Sequence, residues 1–510
     1  MLAKVHSCGV AGLDAYAITI EVDVASGLPS TVVVGLPDNA VKESKERVRS
    51  AIRNCGYEFP AQRVTINLSP ADIKKEGPSF DLAMALGVLA ATGQIDPAPL
   101  ADYIVLGELA LDGQIRGING ALSIALNFKE NRFRGLLIPQ SNAAEAAVAG
   151  AIPVYPVQHL KEVIHFLREP CTLSPCTVDT SELFRQKNTP TIDFSEVKGH
   201  FSVKRGLEIA CAGGHNCLMI GPPGSGKTML AKRIPTILPE MTMEEALETT
   251  RIHSCLGLVP AQTGLITVRP FRSPHHTSSD AALVGGGTIP RPGEVTISHN
   301  GVLFLDELPE FNRNALETLR QPLEDHWVTV SRAAKAVRFP CKFMLVASMN
   351  PCPCGFLTDP KRTCRCSSEQ VRRYLNKISG PLLDRIDIHL EVPALPPTEL
   401  LNNFSCETSA QIRGRTQRAR HIQQERFKGT PAHANAQMPH RQIRQFCPLT
   451  DESKHILKRA IEELGFSARA HDKILKVART IADLSGEEKI REEHITEAIQ
   501  YRSLDRNWWG

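Results

Sequence analysis

Two short segments of this chain carry chemistry in their residue types and spacing. Gly221-Pro222-Pro223-Gly224-Ser225-Gly226-Lys227-Thr228 follows the apolar run Cys217–Ile220 and precedes a helical stretch, Met229–Ile237. That strand–loop–helix setting gives the G-x-x-x-x-G-K-[ST] spacing its meaning. The glycines let the backbone fold tightly, so that successive N–H groups point at phosphate oxygens, and the helix N-terminus adds its positive dipole end. Lys227 is placed to neutralise the β/γ oxygens and the Thr228 hydroxyl to ligate Mg²⁺. The second segment is Val302–Leu305, running into Asp306 and Glu307. A buried strand ending in two carboxylates can offer one to Mg²⁺ and the other to an attacking water. Alone it could equally end in a solvated acidic turn; beside a phosphate loop it predicts ATP hydrolysis. A third strand, Lys342–Ser348, ends at Met349-Asn350. Asn350 could position water against the γ-phosphate, although Asn before Pro is also a common turn former.

A further constellation is Cys352-Pro-Cys354-Gly … Cys364-Arg-Cys366. Four thiolates so spaced can surround one tetrahedral Zn²⁺, a closed structural site with no position left for catalysis. The other ten of the 14 cysteines are scattered, which suits a reducing compartment and disfavours disulfides. Unligated or redox thiols are the alternative.

The elements that must position these groups separate by composition. A chain of 510 residues exceeds one hydrophobic core, and its net charge of +4 permits nucleic-acid binding without arguing for it. From Ala15 to Arg168, strand-type runs (Tyr16–Val24, Thr31–Val34, Val64–Leu68, Tyr103–Leu106, Gly135–Ile138) alternate with helical stretches at Asn39–Asn54 and Phe80–Ala91. Residues 171–190 read as linker. Phe201–Val392 carries a second α/β series, the pattern of a sheet covered by helices. Beyond Pro393–Pro397, helices are predicted at Ser409–Phe427, Asp451–Leu464, Ala468–Leu484 and Glu492–Tyr501. Asp14, Glu21 and Asp23 interrupt the N-terminal apolar residues, unlike a signal peptide, and the most apolar stretch, Leu82–Ala91, is short of the roughly 18–20 residues that span a bilayer. A cytoplasmic protein without membrane contact is expected.

The phosphate loop, Val302–Glu307, Asn350-Pro351-Cys352 and Leu382-Leu383-Asp384-Arg385-Ile386-Asp387 together resemble the magnesium-chelatase-like AAA+ ATPases, and within them the ComM/YifB family, over nearly the whole chain. Arg269–Thr277, Leu283–Gly287, Gly293-Glu294 and Phe466–His471 carry the same resemblance. It implies a homo-oligomeric ring, a hexamer, with ATP between subunits. Arg385 would then reach the neighbouring site as an arginine finger. Arg469 would be a sensor coupling nucleotide state to a helical lid. A surface salt bridge is the alternative for each arginine. Phe271–Asn300 resembles the helix-2 insert of this clade, with Gly285, Gly286, Gly287 and Gly293 allowing a mobile hairpin. His275, His276 and Arg291 on it, and Arg332, Lys335 and Arg338 on a second hairpin at Trp327–Phe339, could touch a polymer in the ring pore. Solvated edges would look the same. In this family small zinc-finger-like loops sit where Cys352–Cys366 falls.

The N-terminal region resembles the proteolytic domain of Lon. Lys75–Asp81 matches the segment holding the nucleophilic serine, at Ser79, and Gly107–Gly120 the stretch leading to the catalytic lysine. Leu122 stands where that lysine should be, and leucine cannot activate a serine. Ser79 is instead expected to cap the following helix, with Asp81 interacting with its dipole. The expected architecture is thus α/β: a Lon-protease-like domain over residues 1–168 without its catalytic dyad, a linker over 169–190, an AAA+ P-loop core over 191–395 with its cysteine loop at 350–367, and a helical lid over 396–510. Arg413, Arg415, Arg418, Arg420 and Arg426 crowd one predicted helix that could be solvated or face DNA, and Trp508 and Trp509 are assigned no role. The family resemblance implies a motor on single-stranded, double-stranded or branched DNA, driving branch migration in homologous recombination and natural transformation. The alternatives are a chelatase-type remodeller of a protein partner, disfavoured by the Lon-like domain and the four cysteines, and an ATP-dependent protease, disfavoured by Leu122.

Overall fold

The computed structural model describes residues 2–510 apart from 129–132, 186–191, 288–289, 333–334, 360–361, 397–405, 465, 503 and 505–510. Trp508 and Trp509 therefore lie outside the described residues. The chain divides into two compact units, Met1–Lys187 with Thr242–Thr267, and Asn188–Met241 with Val268–Gly510. Among the described residues no helix is long and apolar enough to cross a membrane.

The first unit is built on a seven-stranded mixed sheet. Its spatial order is Ser30–Val34, Arg63–Ser69, Asp14–Ala25, Leu2–Ala11, Tyr103–Val105, Gly135–Pro139, Val154–Val157. The strand Leu2–Ala11, which the sequence does not signal, pairs antiparallel with Asp14–Ala25 from Leu2↔Asp23 to Ala11↔Asp14. Its inward set is Ala3, Val5 and Ser7, and Ser7 Oγ donates to the Val105 carbonyl at 2.8 Å. A serine at an inward position hides the alternation. The predicted helix at residue 80 is corrected in one detail. It begins at Asp81, and no side chain caps it, so Ser79 is not its cap. The Asp81 carboxylate is fully buried and gripped by Arg47, Nε at 2.7 Å and Nη2 at 3.2 Å, from the helix Asn39–Asn54. Its charge answers a guanidinium as well as the helix dipole. Leu122 is buried in the helix Ala121–Asn127, and its N–H donates to Glu145 Oε1 at 3.1 Å.

Residues 242–267 join this unit although the sequence predicts them within the ATPase core. The helix Met243–Cys255 starts on a capping box formed by Thr242 and Glu245. Arg251 reaches the Leu13 carbonyl and Asp14 at 2.8 Å each; Ser254 donates to Glu145, and its carbonyl accepts the Gly120 N–H at 3.0 Å.

The second unit centres on a five-stranded sheet in the order Phe271–Arg272, Val302–Leu305, Met344–Met349, Cys217–Ile220, Ile388–Glu391, every neighbouring pair parallel. Parallel pairing brings the carboxyl ends of all strands to one edge, where ligands bind in open α/β sheets. One apolar core runs from the sheet (Met219, Phe304, Val346) into the C-terminal helices (Ile474, Val477, Ile481). Those helices, Ser409–Arg426, Asp451–Leu464, Ala468–Ser485 and Glu492–Gln500, match expectation to within a residue at each end. Three of the five clustered arginines are structural, contrary to both expected readings. Arg420 is buried and donates to the Cys211 and Ala212 carbonyls, Arg415 pairs with Glu208 and Glu407, and Arg426 with Asp483.

Candidate nucleotide site

The loop after Cys217–Ile220 is held against its neighbours by close backbone approach. The Gly221 N–H donates to the Met349 carbonyl at 3.2 Å, and a Cβ at Gly221 would lie 2.1 Å from the Val392 oxygen, so only glycine fits. Gly224 and Gly226 have φ of +78° and +91°. The helix Lys227–Arg233 opens directly from the loop. Lys227 is buried and curls over the turn, Nζ donating to the Gly221 carbonyl at 2.7 Å, the Pro222 carbonyl at 2.9 Å and Asn350 Oδ1 at 3.2 Å. Burial pushes its ammonium below the usual lysine range, while Asp306 and Glu307 pull the other way. A partly desolvated cation at a helix N-terminus is suited to phosphate.

Leu305 and Met349 end adjacent strands, so Asp306 and Asn350 emerge side by side next to the loop. Thr228 Oγ1 donates to Asp306 Oδ2 at 2.7 Å. That hydroxyl–carboxylate pair is the oxygen donor set a Mg²⁺ ion accepts beside phosphate. Ser348 Oγ holds the other Asp306 oxygen. Nothing in the sequence marks Ser348 for this part, because an inward strand serine looks like any other. The Glu307 carboxylate takes no part in these bonds. It occupies the left-handed region at φ 54°, unusual for a residue with a side chain, and remains largely exposed. His276 Nδ1 lies 3.6 Å from Glu307 Oε2, its ring packed on His275 with centroids 4.1 Å apart. The sequence leaves both histidines as polymer contacts or solvated edge residues; a neighbour for Glu307 is unanticipated.

The cysteines at 352, 354, 364 and 366 converge, with ligand atoms all within 4.8 Å of one another. Sγ separations of 3.4 Å (352–354), 3.7 Å (352–364) and 3.6 Å (354–364) approach the tetrahedral edge of about 3.8 Å set by a Zn–S bond of about 2.3 Å. Backbone N–H groups of Phe356 and Arg365 hold the Cys354 thiol down at about 6, and burial pushes Cys352 up to about 12. The donor set fits a tetrahedral thiophilic cation. The loop also abuts the phosphate loop: a Cβ at Gly355 (φ +82°) would lie 2.5 Å from Pro223 Cδ.

Arg385 and Arg469 are not bonded to the phosphate loop. Arg385 is paired with Glu324 and donates to the Pro381 carbonyl at 2.6 Å, and Arg469 Nη1 lies 3.9 Å from Oδ2 of Asp384, the residue immediately before Arg385. The hairpin forms from Trp327–Arg332 and Lys335–Pro340, with Arg338 over the Trp327 ring at 5.2 Å. The side chains of Arg332 and Lys335 lie outside the described residues. His275 and Arg291 are exposed.

Residues 193–400 match the family described as magnesium chelatase, subunit ChlI; residues 20–142 match subunit ChlI of Mg-chelatase, and residues 406–502 the ChlI C-terminal region. The competence protein ComM of Haemophilus influenzae is 46% identical over 99% of this chain and 98% of its own length. The YifB protein of Salmonella typhimurium is 45% identical with the same coverage. The magnesium-chelatase 38 kDa subunit of Rhodobacter capsulatus is 24% identical over 32% of this chain and 52% of its own. ATPase activity, with ATP and Mg²⁺, goes with the magnesium-chelatase-like AAA+ class. On identity that runs nearly end to end, the chain belongs to the ComM/YifB family of magnesium-chelatase-like AAA+ ATPases.

Proposed function

We propose that this protein is an ATP-driven hexameric ring that encloses DNA and promotes branch migration in homologous recombination, including integration of DNA taken up in natural transformation. The reading is carried by the convergence of Lys227, Thr228, Asp306 and Asn350 on one sheet edge, in a chain whose near full-length relative is named a competence protein. The loop Gly221–Thr228 binds the phosphates, with Lys227 on the β/γ oxygens. Thr228 and Asp306 hold Mg²⁺, which when bound neutralises phosphate charge. Glu307 orients the attacking water and accepts its proton, and Asn350 fixes that water against the γ-phosphate. Arg385 acts on nucleotide bound by the neighbouring subunit, and Arg469 relays nucleotide state to the C-terminal helices. His275, His276, Arg291, Arg332, Lys335 and Arg338 contact DNA phosphates. The first unit serves as an assembly or DNA-guiding platform and not as a protease, because buried Leu122 supplies no base to Ser79.

The test is strand exchange on a labelled branched junction with ATP and with a non-hydrolysable analogue. ATP-dependent resolution that disappears in Lys227→Ala is expected, weakening steeply with salt. Failure to resolve junctions by protein that hydrolyses ATP and forms rings would favour remodelling of a protein partner, the reading suggested by the partial match to a magnesium-chelatase subunit.

Cys352, Cys354, Cys364 and Cys366 hold one Zn²⁺ as a structural closure of their loop. Elemental analysis should find about one zinc per chain, lost in Cys352→Ser/Cys364→Ser, with a thermal midpoint lower by several degrees, about 2 °C per kcal/mol for a unit this large. Zinc-free wild-type protein with the same midpoint would refute the site.

A further inference from the structure

Arg385 and Arg469 lie on separate segments, and between them is a buried polar cluster that nucleotide chemistry does not use. Asp387, two residues after Arg385, is 8% exposed. Its Oδ1 receives the Lys473 ammonium at 3.0 Å; its Oδ2 accepts the Asn216 N–H at 3.3 Å and faces His215 Nδ1 at 3.4 Å. His215 is fully buried, and its other ring nitrogen meets Thr480 Oγ1 at 2.8 Å. The peptide units beside Asp387 are tied into the same cluster. Asn216 Nδ2 donates to the Arg385 carbonyl at 2.9 Å, and Lys473 Nζ to the Ile386 carbonyl at 3.1 Å.

Helical spacing explains why these groups can act together. In Ala468–Ser485, Arg469, Lys473 and Thr480 are four and eleven residues apart, and at 3.6 residues per turn they share one face. That face meets Asp384 through Arg469, Asp387 through Lys473, and His215 through Thr480. His215 and Asn216 in turn directly precede Cys217–Ile220, the strand that delivers the phosphate loop. Asp387 therefore joins three bodies: the base of the phosphate-loop strand, the C-terminal helix and the arginine segment. Burial opposes its ionisation, yet Lys473 and His215 beside it hold it well below the ordinary carboxylate range. A buried charge pair contributes little net stability after desolvation; here its bonds tie Lys473, His215 and Asn216 to one carboxylate.

We infer that Asp387 is the joint through which the helix Ala468–Ser485 sets the position of Arg385, so that a shift of that helix with nucleotide state is delivered to the arginine. Asp387 and Lys473 are then positioning residues, and the inference rests on the proposed action of Arg385 on a neighbouring subunit's nucleotide.

The experiment uses full-length Lys473→Met, which keeps the stem and removes the charge, beside Arg385→Ala and the double variant. Thermal unfolding, ATP KM and kcat are measured for each. Expected for Lys473→Met are cooperative unfolding, KM within about twofold of wild type and kcat lower by about ten- to a hundredfold, the range for a misplaced group. In the double variant kcat should fall no more than about twofold below Arg385→Ala, because both changes remove one interaction. Wild-type kcat in Lys473→Met, or full additivity with Arg385→Ala, overturns the inference while leaving Arg385 in its role. Wild-type kcat in Arg385→Ala overturns that role and the inference with it. Should Lys473→Met lose cooperative unfolding, Asp387→Asn/Lys473→Met, which removes both charges of the pair, is held to the same outcomes.

Discussion

Glu307→Gln should bind ATP as tightly as the parent and hydrolyse it about 10²–10⁴-fold more slowly, the usual contribution of a positioned base. The amide keeps the shape of the carboxylate and loses its ability to take a proton from water. Binding should survive because Glu307 stands outside the bonded set: Thr228 and Ser348 both engage Asp306, and Lys227 is held by carbonyls and Asn350. Stability should survive too, since the Glu307 side chain is 57% exposed and, among the described residues, its ion-pair neighbour is His276 at 3.6 Å. Single-turnover hydrolysis and titration with a fluorescent nucleotide separate the two quantities. Hydrolysis within about threefold of wild type would remove Glu307 as the base. Parallel loss of affinity would move it into the binding set.

Asp483→Ala should cost about 3–5 kcal/mol, the penalty for stripping one partner from a buried charge cluster. Its carboxylate is completely buried and accepts from Arg426 at 2.7 Å, Arg479 Nε at 3.0 Å and Asn435 Nδ2 at 2.7 Å. Removing it leaves two guanidiniums facing each other, one of them, Arg479, only 2% exposed. Because one apolar core spans sheet and helices, the loss should appear in the main unfolding transition of the second unit and not as fraying of its end. Chemical denaturation against wild type measures it. A change below about 1 kcal/mol would mean that water reaches the cluster.

The phosphate loop, the Asp306 strand and the four cysteines were legible because their chemistry fixes residue type and spacing within a few positions. The C-terminal helices were legible from period alone. What escaped depends on partners far along the chain. Arg420 looks like a surface charge until the Cys211 and Ala212 carbonyls are seen waiting for it. Asp81 looks like a helix-terminal acid until Arg47 arrives from another helix. Leu2–Ala11 was hidden by one inward serine, and Ser348 by the ordinariness of serine in a strand. Local pattern reports period and spacing; it is silent about which distant charge will meet which.

The helix Met243–Cys255 bears on how such a protein can change over generations. The first unit depends on it: without Ser254, Glu145 and the Gly120 N–H lose partners, and without Arg251 the Leu13 carbonyl and Asp14 lose theirs. Yet this helix is encoded between the phosphate loop and the Asp306 strand. No single breakpoint in the gene releases the first unit whole, and a chain shortened at residue 187 inherits an incomplete surface. The two halves are therefore bound to be gained, lost or exchanged together.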